Sequence, residues 1–144
     1  MTRFLTIAAG VLIGCAGIVG TAFAEEPAPV ADAPRISQAE LLARMEKKDS
    51  SLVVLDVRTP AEYAAGHVPG ARNVSHDQLA ANLVELEPLR DKDVVLYCRS
   101  GRRTLLAEDV LRKAGFTKLL HLDGDYLAWE AQQRPVERES APAK

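Results

Sequence analysis

Cysteine is scarce in this chain: of its 144 residues only Cys15 and Cys98 carry a thiol. Histidine is nearly as rare, and His67, His76 and His121 show no metal-type spacing, so no zinc or other metal site is expected. An excess of positive charge is also missing. The formal net charge is −2, which gives nucleic acid nothing to bind. There is no internal repeat and no motif that holds a nucleotide or an organic cofactor. These absences exclude zinc hydrolases, nucleic-acid binders and dinucleotide enzymes. Any chemistry is left to the side chains themselves, with no cofactor.

What is present begins with an apolar leader. Arg3 precedes a run of apolar and small residues from Phe4 to Gly20, and Ala22-Phe23-Ala24 has the A-x-A form of a signal-peptidase site. Residues 1–24 are therefore expected to be a signal peptide. Two other readings stand beside it. Leu12-Ile13-Gly14-Cys15 resembles a lipoprotein processing box, and Phe4 to Ala24 is nearly long enough to span a bilayer. Cleavage after Ala24 is preferred, because the apolar run continues past Cys15 and its glycines and alanines make a weak anchor. Each reading places the domain outside the cytoplasm, periplasmic or secreted, with membrane tethering as the alternative. After cleavage no stable membrane association is expected. Cys98 then has no partner for an internal disulfide, so its thiol must be buried, paired with another molecule or reactive.

Roughly 120 residues would remain, enough for one hydrophobic core. Residues 25–35, with Pro27, Pro29 and Pro34, read as a linker, 36–136 as the folded domain and 137–144 as a polar tail. Ser37-x-x-Glu40 predicts a capped helix with Leu41, Leu42 and Met45 on its apolar face, and Thr59-Pro60-x-Glu62 a short one ending at Gly66. Ser75-x-x-Gln78 predicts a third, carrying Leu79, Leu83, Val84 and Leu86 up to Pro88. A fourth follows Gly101, with Leu105, Leu106, Val110, Leu111 and Ala114 on one face. Between these lie short apolar runs, Leu52–Leu55, Ala71–Val74, Val94–Tyr97 and Leu119–Leu122, that read as strands. Alternation of this kind predicts an α/β fold: a central, mostly parallel sheet with helices on both faces and a ligand site beyond the strands' carboxyl ends.

Cys98 falls at that edge, followed by Arg99-Ser100-Gly101-Arg102-Arg103. A core cysteine is the commoner reading of a strand-end thiol. Three arginines within five positions argue against it, because burying them without partners would be costly. Positive potential and loop amides would favour a thiolate. Cys98 is thus the candidate nucleophile, and Arg99, Ser100, Gly101, Arg102 and Arg103 are the candidate anion-binding loop. Asp56 and Arg58 also follow a strand but read as structural, Asp56 accepting loop hydrogen bonds and Arg58 pairing with Glu62 or another acid. His67 reads as a turn histidine and Trp129 as a core or lid anchor.

The stretch Cys98-Arg-Ser-Gly-Arg-Arg-Thr104 resembles the active-site loop of single-domain rhodaneses, the thiosulfate sulfurtransferases, whose pattern is C-x-x-G-x-R-[ST]. Leu55-Asp-Val-Arg58, Glu62-Tyr63, Gly66-His-Val-Pro-Gly-Ala71 and Asn73 resemble that family's first signature. Gly115-Phe116, Leu122-x-Gly124 and Ala128-Trp129 resemble its last. Small periplasmic rhodaneses of the phage-shock type are similar. The resemblance implies a rhodanese-like fold and transfer of a sulfane sulfur through a Cys98 persulfide. The donor would be a small anion such as thiosulfate, and the acceptor a small thiophile such as cyanide or a protein thiol. Asp125 departs from the pattern, since the family often has a second glycine after Gly124, and aspartate tolerates positive φ less readily.

A phosphatase or arsenate reductase is the rival enzyme, because related folds close a cysteine loop around an oxyanion with an arginine. Those loops enclose five residues, whereas Cys98 to Arg103 encloses four, and Tyr97 stands where many cysteine phosphatases have histidine. A non-catalytic persulfide carrier or binding module is the alternative from another class.

Overall fold

The computed structural model describes residues 31–139. The predicted signal peptide, Cys15 and the end of the polar tail lie outside the described residues. Five strands, β1 (Arg35–Ile36), β2 (Leu52–Asp56), β3 (Arg72–Asn73), β4 (Asp93–Tyr97) and β5 (Leu119–Leu122), form one sheet in the order β1-β5-β4-β2-β3. Every pairing is parallel. The α/β expectation is met. Central β4 alternates its side chains between two cores: Val94, Leu96 and then Cys98 point to one face, Val95 and Tyr97 to the other. A strand covered on both sides has to be apolar throughout, which is why it reads as a continuous run.

Helices α1 (Gln38–Glu46), α2 (Pro60–Ala65), α3 (Leu83–Leu86), α4 (Arg102–Lys113) and α5 (Asp125–Ala131) cover the sheet. Ser37 Oγ accepts the Glu40 amide at 3.1 Å, and Ile36 and Leu41 on either side of it are both buried in one core. Thr59 and Glu62 form the full reciprocal box predicted for α2. Trp129 is fully buried, its indole N–H donating to the Pro135 carbonyl at 2.8 Å.

Three expectations fail for physical reasons. The helix predicted after Ser75 is broken into a 3-10 turn (Leu79–Asn82), α3 and a second 3-10 turn (Glu87–Leu89). Ser75 does not cap it, because its hydroxyl donates to the Arg58 carbonyl, and Val84 is exposed while Leu79, Leu86 and Leu89 carry the packing. The inner face of α4 is also displaced from the predicted one: Leu105 and Leu106 are exposed, and Thr104, Ala107, Glu108 and Leu111 are buried. Two of those four are polar, so a hydrophobicity count misplaces the face. Finally, Arg35, expected to close the linker, opens β1, and Ala33 before it is already in the core.

Candidate active site

Cys98 directly follows the central strand β4 and is 1% exposed. Its backbone is held at both ends. The Cys98 N–H donates to Asp125 Oδ1 at 2.8 Å, and the Cys98 carbonyl accepts from the Tyr126 amide at 3.0 Å. The Arg99 carbonyl accepts from the Leu127 amide at 3.1 Å, so α5 fixes the first two loop residues. The loop then turns so that the Gly101 N–H donates to Cys98 Sγ at 3.0 Å. An amide aimed at sulfur suits an anionic sulfur there.

That turn depends on Gly101, whose φ of 99° lies in the left-handed region. A Cβ at this position would also sit 3.1 Å from Asp125 Oδ2. Gly101→Ala is therefore expected to lose about 1–2 kcal/mol of stability and to misdirect the loop amide. Denaturant titration, together with the alkylation rate of Cys98, would measure both effects.

Of the three loop arginines, Arg99 and Arg102 are exposed at the rim. Arg103 reaches across to α2, making a bidentate pair with Glu62 at 2.7 and 2.8 Å. The hydrogen bonds from Arg103 hold the Glu62 carboxyl down at about 2, against the opposing effect of partial burial. Glu62 thus serves both the α2 cap and Arg103, which offsets the conflict of a cation in the first turn of α4. Ser100 is exposed. Beside the loop a cleft of about 210 Å³ is lined by Arg58, Glu62, Gly66, Arg99, Tyr126 and Leu127.

One wall of that cleft rests on a buried ionic cluster. Arg58 pairs with Asp56, not with Glu62: its Nε lies 3.0 Å from both carboxylate oxygens and a terminal nitrogen 2.5 Å from Oδ2. The same guanidinium donates to the Gly66 carbonyl at 2.7 Å and lies 3.9 Å from the Tyr126 ring centroid. Tyr97 OH donates to Asp56 at 2.8 Å and accepts from the Val68 amide at 3.1 Å. Burial and the adjacent Asp56 charge push the Tyr97 phenol well above its usual range, so it stays protonated. His67 is the turn histidine expected, with Nδ1 2.8 Å from the Tyr63 carbonyl.

Behind the loop lies a set of residues that sequence reasoning missed. Asp125 sits at φ 50°, the conformation usually reserved for glycine, and its carboxylate meets Cys98 N–H, the Thr104 hydroxyl at 3.0 Å and His121 Nε2 at 2.9 Å. His121 Nδ1 lies 2.9 Å from Glu108 Oε1. Burial works against the charge on His121, but Asp125 and Glu108 raise its pKa to about 9. A histidine raised from 6.5 to about 9 adds stability that is complete below pH 6.5 and lost as pH rises to about 9. The melting temperature should therefore decline across that window, and His121→Gln should lack the decline. The departure of Asp125 from the glycine pattern was the available signal.

Residues 37–132 match the family model described as Rhodanese-like domain, more than half of the chain. A sulfurtransferase of Allochromatium vinosum is 33% identical over 67% of this chain and 89% of its own length. An HTH-type transcriptional regulator of Mycobacterium tuberculosis is 42% identical over 74% of this chain, which spans only 46% of the regulator. Among solved structures, the rhodanese-like domain of an Anabaena protein superposes with a TM-score of 0.66 at 28% identity, covering 78% of this chain and 87% of that one.

Proposed function

The chain belongs to the rhodanese-like domain family, and from that premise we propose that it is a sulfurtransferase moving sulfane sulfur through a Cys98 persulfide. Thiosulfate or a similar small anion is the donor. The Cys98 thiolate attacks the outer sulfur, the sulfur–sulfur bond of thiosulfate breaks, and its electron pair leaves with sulfite. The product is a cysteine persulfide with one new sulfur–sulfur bond. A thiophile such as cyanide, or a small or protein thiol, then attacks the terminal sulfur and releases the Cys98 thiolate.

The observation that carries this reading is the Gly101 amide donating to Cys98 Sγ inside a loop of four residues between Cys98 and Arg103. A cradle that tight suits one sulfur added to the thiolate better than a tetrahedral phosphate. Arg103 is moreover engaged by Glu62, while Arg99 and Arg102 are exposed at the rim, where they attract an anion and favour the departure of sulfite. The apolar run and the A-x-A site of residues 4–24 support a setting outside the cytoplasm for this chemistry.

Turnover tests the proposal: thiosulfate and cyanide should give thiocyanate and sulfite in equal amounts, with no phosphate released from an aryl phosphate. Phosphate release without thiocyanate would overturn it. Persulfide formation without turnover would mark a carrier instead of an enzyme.

A further inference from the structure

Three buried ionisable groups, Glu108, His121 and Asp125, lie behind the Cys98 loop and have no part in the sulfur chemistry above. Each is at most 2% exposed. Both ring nitrogens of His121 face carboxylate oxygens at 2.9 Å. At Nε2 the Asp125 carboxylate is hydrogen-bonded to the ring, whereas at Nδ1 the Glu108 carboxylate lies at ion-pair distance without hydrogen-bond alignment, and a carboxylate on each side of the ring favours the imidazolium. Arg112 approaches Glu108 from the protein surface at 3.2 Å, which leaves two cations facing two anions. The Ala33 amide also donates to Glu108, at 2.9 Å.

The set ends on the reactive loop. Asp125 Oδ1 holds the Cys98 amide while Oδ2 holds the imidazolium, so the carboxylate bridges the cation and the candidate nucleophile's own peptide. Asp125 adopts its positive φ at a cost of roughly 1 kcal/mol or more, and its side-chain contacts to three partners are what sustain it. We propose that Glu108, His121 and Asp125 form a buried charge relay that positions Cys98, the imidazolium holding the Asp125 carboxylate on the Cys98 amide. This rests on the sulfur-transfer reading, since the step it serves is sulfur loading.

The groups around His121 are few. Glu108 faces it from α4, itself paired with Arg112, and Asp125 faces it from the start of α5. Cys98 lies beyond Asp125. From β1 its cross-strand neighbour Arg35 is exposed and extends to Asp123, 4.0 Å away, and from β4 its neighbour is the apolar Leu96. Only deprotonation of His121 itself removes the cation between the two carboxylates, and Asp125 and Glu108 defer that to about pH 9.

The test is the rate of sulfur loading from thiosulfate, followed by intact mass after rapid quenching at neutral and alkaline pH. Thiosulfate keeps its charge throughout, and deprotonation of the thiol can only speed the step, so a fall at high pH reports another group. The parent protein should load about tenfold more slowly above pH 9 than below it. His121→Gln, which can still donate to Asp125 but cannot be charged, should load about tenfold more slowly at neutral pH and show no alkaline fall. Glu108→Gln should move the fall about one pH unit lower, because one supporting anion is gone. A purely structural set would lower the melting temperature of these variants and leave the pH at which loading falls unchanged. Flat loading by the parent through pH 9, or a fall left in place by Glu108→Gln, overturns the relay even if His121→Gln does not fold. Absence of loading at every pH would instead overturn the sulfur-transfer reading, and the relay with it.

Discussion

Cys98→Ser is expected to fold as the parent does and to transfer no sulfur. Serine preserves the shape of the buried side chain, and its hydroxyl oxygen can accept the Gly101 amide that Sγ accepts at 3.0 Å. The Asp125 and Tyr126 contacts at Cys98 are to its backbone, so they do not depend on the side chain. Stability should therefore change by about 1 kcal/mol or less. Chemistry should not survive. An alcohol is far less acidic and less nucleophilic than a thiol, and no oxygen counterpart of the persulfide is available as a carrier. Thiocyanate formation should fall at least about a thousandfold, to the uncatalysed rate. Appreciable turnover by a folded Cys98→Ser protein would exclude a covalent route through this residue.

The largest loss of stability is expected from Arg58→Ala. Side-chain exposure is 4% for Arg58 and 0% for Asp56, so removing the guanidinium leaves a buried carboxylate without its countercharge. Tyr97 OH and the Arg58 amide would remain to solvate Asp56, and neither carries charge. Breaking a buried pair in this way costs about 3–5 kcal/mol, which for a domain of this size lowers the melting temperature by roughly 10–20 °C. The Gly66 carbonyl would lose its donor as well, and Tyr126 the cation above its ring. Thermal unfolding is the appropriate measurement, because Arg58 also lines the cleft and its effect on turnover would be mixed. A loss below about 1 kcal/mol would show that desolvation cancels the pair's attraction.

Local rules made much of this fold legible. Thr59, Pro60 and Glu62 act within one turn, so the α2 cap could be read residue by residue. The runs in β2 and β4 announced burial on both faces, and β4 delivered Cys98 to the carboxyl end of the sheet. What stayed hidden was long-range pairing of charge. Glu62 and Arg103 are 41 positions apart, Glu108 and His121 lie on different elements, and nothing in their neighbours points one to the other. Thr104 and Glu108 turn inward only because Asp125 and His121 wait there, and this displaced the predicted face of α4. The exposed Leu105 and Leu106 made the wrong face look apolar. Two-residue β1 was beyond a pattern method for a different reason: its strand character comes from pairing with β5, not from its own residues.

Which atom Cys98 carries decides between sulfur transfer and its rivals, and intact mass after incubation with thiosulfate measures that directly. The expected result is a gain of one sulfur atom per chain, located on Cys98, removed by cyanide and absent from Cys98→Ser. An unchanged mass in a folded protein that retains a free Cys98 thiol would contradict it.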